Sequence, residues 1–168
     1  MAIPKRRSKA AGTYFVSSRT WESRKLFITE PPSRILLETL AHYREKGIYQ
    51  LHAFVAMPDH IHVLLTPAED VSLERAVQHI KGGSARRIRE ELLFRFPVWQ
   101  RGFSDHRIRD GADYWTHVRY IEQNPVKRRL VAAASEYQWS SAAGRLSVDA
   151  MPDMLNDVRG SEATALSG

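Results

Sequence analysis

Apolar residues recur along this chain with two periods, and the switches between them predict the elements. Thr13-Tyr14-Phe15-Val16-Ser17-Ser18 is rich in β-formers and predicts a first strand. Past Pro31-Pro32, Ser33 stands where it can cap a helix. Ile35, Leu36, Leu37, Leu40 and Tyr43 fall on one face of that helix, and Gly47 marks its stop. Ile48 to Met57 and His60 to Thr66 predict two further strands, joined as a hairpin by the tight turn Met57-Pro58-Asp59. Ser72 caps a second helix running towards Leu93, interrupted at Gly82-Gly83. Trp99 to Ile108 reads as a fourth strand weakened by Gly102, and Asp110 starts a third helix reaching Asn124, before Pro125 disrupts the next turn.

The order β-α-β-β-α-β-α carries, in its first six elements, the ferredoxin-like split βαβ unit. The expected fold is therefore α+β, an antiparallel sheet with helices on one face and the first and third strands central. The third strand carries two histidines. Beyond residue 145 aromatic content falls and Gly, Ser, Ala and Asp rise. That shift predicts one domain over residues 1–144, with a basic N-terminal arm, and a weakly ordered tail over 145–168.

Charge narrows the partners. The chain has 168 residues, a net charge of +6 and a pI near 9.8, a balance that favours an anionic partner, nucleic acid first. With no cysteine, disulfides, thiolate nucleophiles and cysteine-based zinc sites are excluded. The longest apolar run is far short of a membrane span, and no apolar stretch follows the basic N-terminus, so no membrane partner and a cytoplasmic location are expected. Lys5, Arg6 and Arg7 form a basic arm with Lys9. Lys81, Arg86 and Arg87 load the second helix, Arg109 precedes the third, and Lys127 and Arg128 follow it. Several such clusters in one basic chain favour phosphate contacts, which position DNA without reading its sequence.

Candidate chemistry lies in two places. His60 and His62 are two apart on a predicted strand, so both imidazoles project to one side while Ile61, Val63 and Leu65 point to the other. Such a pair can share a divalent cation; it can also arise by chance among seven histidines. On the third helix Tyr120 and Asn124 are four apart and share a face. A tyrosine can act as a nucleophile, and a metal beside it can polarise the phosphate under attack. Asn124 offers a carbonyl oxygen to the same shell. The plainer reading makes Tyr120 a packing residue and Asn124 a cap before proline.

Together these segments resemble a known family. Met57-Pro58-Asp59-His60-Ile61-His62-Val63-Leu64-Leu65 is similar to the His-hydrophobic-His signature of the HUH single-tyrosine transposases. Trp99-Gln100-Arg101-Gly102-Phe103-Ser104-Asp105-His106-Arg107-Ile108-Arg109 resembles the segment that follows it there. Tyr120-Ile121-Glu122-Gln123-Asn124-Pro125-Val126-Lys127 resembles the catalytic helix of the REP-associated branch, and the likeness extends from about residue 13 to Trp139-Ser140-Ser141. The resemblance implies His60, His62 and Asn124 as ligands of Mg2+ or Mn2+ and Tyr120 as the nucleophile. It implies cleavage of single-stranded or hairpin DNA through a covalent 5′-phosphotyrosine link, with rejoining by the freed 3′-hydroxyl. It leaves open a monomer or a homodimer.

Two departures from a plain match stand out. Gly82-Gly83 falls inside the second helix, which would bend there. Glu122 is acidic beside the catalytic positions, yet it points about 200° from Tyr120 on an ideal helix and stays outside the site. Tyr114, nearly opposite Tyr120 on the helix, is the rival nucleophile. Tyr137, His52, His106 and His117 read as structural or ordinary hydrogen-bonded residues, and Asp59 as turn chemistry. The competing functions are a DNA-binding module without catalysis and a metal-dependent hydrolase using water.

Overall fold

The structure is a computed structural model, and it describes residues 12–156. Four strands form one antiparallel sheet in the order β2-β3-β1-β4, with β1 at Tyr14–Arg19, β2 at Tyr49–Met57, β3 at His60–Pro67 and β4 at Ser104–Arg107. The central pair is β1 and β3, as the split βαβ topology predicts. Helices α1 (Glu30–Glu45) and α2 (Leu73–Leu92) cover one face of the sheet, burying Val16, Phe54, Ile61, Val63 and Leu65 beneath them. Helix α3 (Gly111–Lys127) crosses the other face, where Tyr114, Val118 and Ile121 pack on Ala53, Val55, Met57 and Leu64. The helices therefore occupy both faces, and the third lies on the side that carries the histidines.

The element ends differ from expectation for identifiable reasons. Helix α1 begins at Glu30 with Thr29 as its cap position, so Pro31 and Pro32 occupy the first turn, where no backbone N–H is needed. Ser33 lies inside that helix, and its hydroxyl donates to the carbonyls of Phe27 and Thr29 at 2.9 and 3.0 Å. Helix α2, capped by Ser72, runs unbroken through Gly82-Gly83. The bend expected there is absent. Gly83 serves helix packing, since a Cβ there would lie 2.9 Å from the Tyr43 ring, whereas a Cβ on Gly82 would meet nothing within 4 Å. The fourth strand is shorter than predicted. Trp99 joins the sheet only through an isolated bridge to Thr20, and Gly102 turns the chain at φ +76° before β4 starts. Pro125 sits within α3 rather than ending it.

After α3 the chain returns along β2. Ala56 N–H donates to Trp139 O at 2.8 Å, Phe54 N–H to Ser141 Oγ at 3.1 Å, and Leu51 N–H to the Asp149 carboxylate at 2.8 Å. Arg44 grips the same carboxylate through two hydrogen bonds of 2.9 Å, and Leu155 is buried against α3. Residues 145–156 are thus fastened to the domain, not a loose tail. Among the described residues no helix is long and apolar enough to cross a membrane.

Candidate functional site

The pleat of the two central strands builds the site. Phe15, Ser17 and Arg19 alternate onto the α3 face of β1, and the register sets Ser17 opposite His62 and Arg19 opposite His60. The Ser17 hydroxyl meets His62 Nδ1 at 2.6 Å, and His60 Nδ1 donates to the Asp59 carboxylate at 2.7 Å. Both Nδ1 atoms are therefore engaged, which leaves each Nε2 for another partner. This is how metal-binding imidazoles are held in orientation and tautomer. The two rings lie 4.8 Å apart between centroids.

Electrostatics keep the His62 imidazole neutral. Burial, reinforced by His60 and Arg128, pushes its pKa down to about 3. Asp59 is held below the usual carboxylate range: burial opposes this most strongly, but the His60 hydrogen bond and charge, a backbone hydrogen bond and the Arg128 charge together outweigh it. Asp59 is thus both the turn residue expected and the partner that orients His60.

Helix α3 brings Tyr120 to this pair. Its ring stands edge-on to His62 at 5.4 Å and to Phe15 at 5.7 Å, while Phe15 stacks on His62 at 5.2 Å. Tyr120 is 42% exposed, open to a strand of DNA in a way the buried Tyr114 is not. Burial raises the phenols of Tyr114 and Tyr137 to about 12, which disfavours the phenolate form in both. One turn past Tyr120, Asn124 is buried with its amide oxygen lacking any hydrogen-bond partner among the described residues. The two oriented imidazoles are donors that suit a divalent ion, and the unpartnered amide oxygen of Asn124 is a donor of a kind such an ion also accepts. The cleft that His60, His62 and Tyr120 line measures about 760 Å3 and is also walled by Ser17, Arg19, Gln100, Arg101, Phe103 and Arg128.

The structure sorts the proposed phosphate contacts. Arg128 lines the cleft, and Lys127 lies 5.8 Å over the Tyr120 ring. Arg86 and Arg87 are on α2, away from the cleft, where Arg86 pairs with Glu90 and Arg87 with Glu38 and Glu91. Lys81 is also committed, since its ammonium donates to the carbonyls of Gln100 and Gly102 at 2.8 and 2.6 Å and fixes that loop. Arg109 reaches back to Asp113 at 3.4 Å. Lys5, Arg6 and Arg7 lie outside the described residues. Arg19 and Arg101 were missed because each stands alone in sequence. Phe15 and Ser17 were missed too, although their alternation with Arg19 was the available signal.

A second group adjoins the first. His106 and His117 stack at 4.8 Å, and both meet the buried Asp113. The ligand atoms of these three lie within 4.8 Å of one another, so the group could hold a metal ion. His117 Nδ1 also donates to the Asp113 carbonyl at 2.8 Å, and His106 Nε2 to its carboxylate at 2.9 Å. Both histidines are hydrogen-bonded, as expected; their convergence on one carboxylate was not.

Known proteins match this chain in sequence and fold. Residues 13–124 fit the family described as transposase IS200 like. A REP-associated tyrosine transposase of Haemophilus influenzae is 27% identical over 143 residues, covering 77% of this chain and 79% of that one. Its Escherichia coli counterpart is 25% identical over 135 residues, covering 76% and 79%. A solved REP-associated tyrosine transposase bound to a REP hairpin superposes with a TM-score of 0.68 at 26% identity, covering 91% of this chain and 93% of that one. A transposase structure from Deinococcus radiodurans, at 18% identity and a TM-score of 0.53 over 76% of this chain and 98% of that one, shares the fold.

Proposed function

This chain belongs to the IS200-like transposase family, and from that premise we propose that it cuts and rejoins single-stranded DNA with Tyr120 as the nucleophile. The family and the REP-associated relatives make it a DNA-processing enzyme of the transposition class. The observation that carries the finer reading is Tyr120 set edge-on to His62 at 5.4 Å, both lining one open cleft.

The chemistry follows from the residues present. The exposed phenol gives up its proton to solvent and its oxygen attacks a backbone phosphorus in line with the 3′ oxygen. The bond from phosphorus to the 3′ oxygen breaks, that oxygen takes a proton, and the 5′ phosphate remains esterified to Tyr120. Attack by a 3′-hydroxyl on the same phosphorus reverses the step and releases the phenol, so joining needs no nucleotide energy source. Mg2+ or Mn2+ held by His60, His62 and Asn124 would supply polarisation of the phosphate oxygens. Ser17 and Asp59 fix the imidazoles, Phe15 keeps the His62 ring beside the phenol, and Arg128 faces the phosphates.

Tyr120 lies beside His62 of its own chain, which supports a tyrosine acting with the histidines of its own chain. Palindromic repeats that fold as hairpins with an unpaired flank are the proposed substrate, supported by the relative solved on a REP hairpin. Incubating the protein with labelled single-stranded DNA and Mn2+, then running denaturing electrophoresis, tests the reading. A shifted protein–DNA band that Tyr120→Phe abolishes is expected. Cleavage without any covalent band would favour water as the nucleophile and overturn the proposal.

A further inference from the structure

Beyond Arg19 the chain leaves β1 through the extended, buried Thr20 and enters a short 3-10 turn that opens with Trp21. This stretch is paired with the segment before β4: Trp21 N–H donates to Val98 O at 3.0 Å, and Gln100 N–H to Arg19 O at 3.0 Å. Arg19 and Gln100 wall the cleft, so the same two paired backbones carry Trp21 at its end. Ser17 to Trp21 spans about 13 Å of extended strand.

Three side chains meet at that end. The rings of Trp21 and Phe96 are nearly parallel, 18° between planes and 6.1 Å between centroids. The Arg24 guanidinium lies 4.0 Å from the Phe96 centroid and 5.0 Å from that of Trp21. Phe96 is 45% exposed. The turn that presents Arg24 holds Glu22 and Ser23 in the left-handed region, both at φ 53°, a strained backbone for non-glycine residues. The only acidic partner of Arg24 among the described residues is the exposed Glu22 at 3.5 Å, a place that a phosphate could take.

We propose that Trp21, Arg24 and Phe96 form a stacking platform for an unpaired nucleobase of the DNA strand leaving the cleft, with Arg24 receiving its phosphate. This rests on the cleft being the DNA site. A half-buried Trp21 ring and an exposed, nearly parallel Phe96 ring with a guanidinium beside them suit a planar, anionic chain: every base offers a π-face and every linkage a charge. Arg19, Lys25 and Arg101 add positive charge along the way. An apolar peptide would find no reason for that charge.

The test compares two labelled single strands, an oligothymidylate and an abasic strand of the same sugar–phosphate length. The platform predicts that the full-length wild type binds the base-bearing strand about ten-fold more tightly or better. The double variant Trp21→Ala, Phe96→Ala should lose most of that preference while its affinity for the abasic strand stays within about two-fold, since phosphate contacts are untouched. Trp21→Phe should keep the preference. Retained adduct formation at saturating DNA establishes that the double variant is folded. A double variant with the wild-type preference intact, or one equally weakened on both strands, overturns the platform and leaves the cleft assignment standing. A wild type that binds neither strand overturns the cleft assignment, and the platform with it.

Discussion

Ser17 gives a sharp perturbation of the site, because it touches neither the metal nor the DNA phosphate in the proposed chemistry. Its hydroxyl is the hydrogen-bond partner of His62 Nδ1 at 2.6 Å, and His62 is only 7% exposed. Ser17→Ala removes that partner in a place water reaches poorly. A buried polar group left unpaired costs about 1–3 kcal/mol. If that strain is relieved by ring rotation, the cost appears as weaker ligation, and loss of an outer partner of a metal-bound histidine weakens affinity about 10–100-fold. The two estimates agree. The expected result is a Mn2+ titration of adduct formation whose midpoint moves up by about 10–100-fold, with the rate at saturating metal largely kept. Asp59→Asn is the matched control on His60. The Asp59 side chain is 38% exposed, so water can stand in, and its shift should stay under about ten-fold. An unchanged midpoint in Ser17→Ala, or a larger effect from Asp59→Asn, would refute the reasoning.

Other outcomes follow from the packing. Tyr120→Phe should leave the melting temperature within about 1–2 °C of wild type, measured by circular dichroism, because the exposed hydroxyl makes no hydrogen bond among the described residues. Gly82→Ala should stabilise by about 0.5–1 kcal/mol, since its Cβ meets nothing within 4 Å. Gly83→Ala should instead destabilise, by about 1–3 kcal/mol, because the Tyr43 ring it strikes is held against His79 at 4.6 Å; urea melts of both variants separate these signs. Asp149→Ala should lose about 2–3 kcal/mol by breaking the Arg44 pair and stranding Leu51 N–H. Arg44 holds the Asp149 carboxyl below its ordinary value, so this stability is fully present above pH ~4 and disappears as pH falls through the folded-state pKa. The gap between wild type and variant in thermal melts should therefore close in acid and stay constant near neutrality.

The parts of this protein that were legible in sequence are those where one period governs. Alternation placed His60 and His62 opposite Ile61, Val63 and Leu65, and the 3.6-residue period put Tyr120 and Asn124 on one helix. What stayed hidden depends on pairing between distant segments. Ser17 is unremarkable until the register of β1 and β3 sets it across from His62. His106 lies on β4 and Asp113 and His117 on α3, and only the fold joins them. Pro125 misled because its missing N–H falls near the end of α3, where its burial offsets the lost bond. The segment around Asp149 was misread for a similar reason: a single carboxylate fastens it, and its apolar residues Met151 and Leu155 follow no period.

The path of the chain after α3 also bears on how the protein behaves at high concentration. A sheet ends in two strands whose outer N–H and C=O groups invite pairing with another molecule. Here the outer side of β2, which is almost wholly apolar, is occupied by Trp139, Ser141 and Asp149 from its own chain. The opposite border, β4, is four residues long and reads Ser-Asp-His-Arg, too short and too charged to recruit a stranger. Removing residues from 145 onward would uncover part of β2 and offer an apolar, hydrogen-bonding rim to neighbouring copies. Self-association of such a truncated chain would then arise from an opened border and would say nothing about how many copies the enzyme uses to cut DNA.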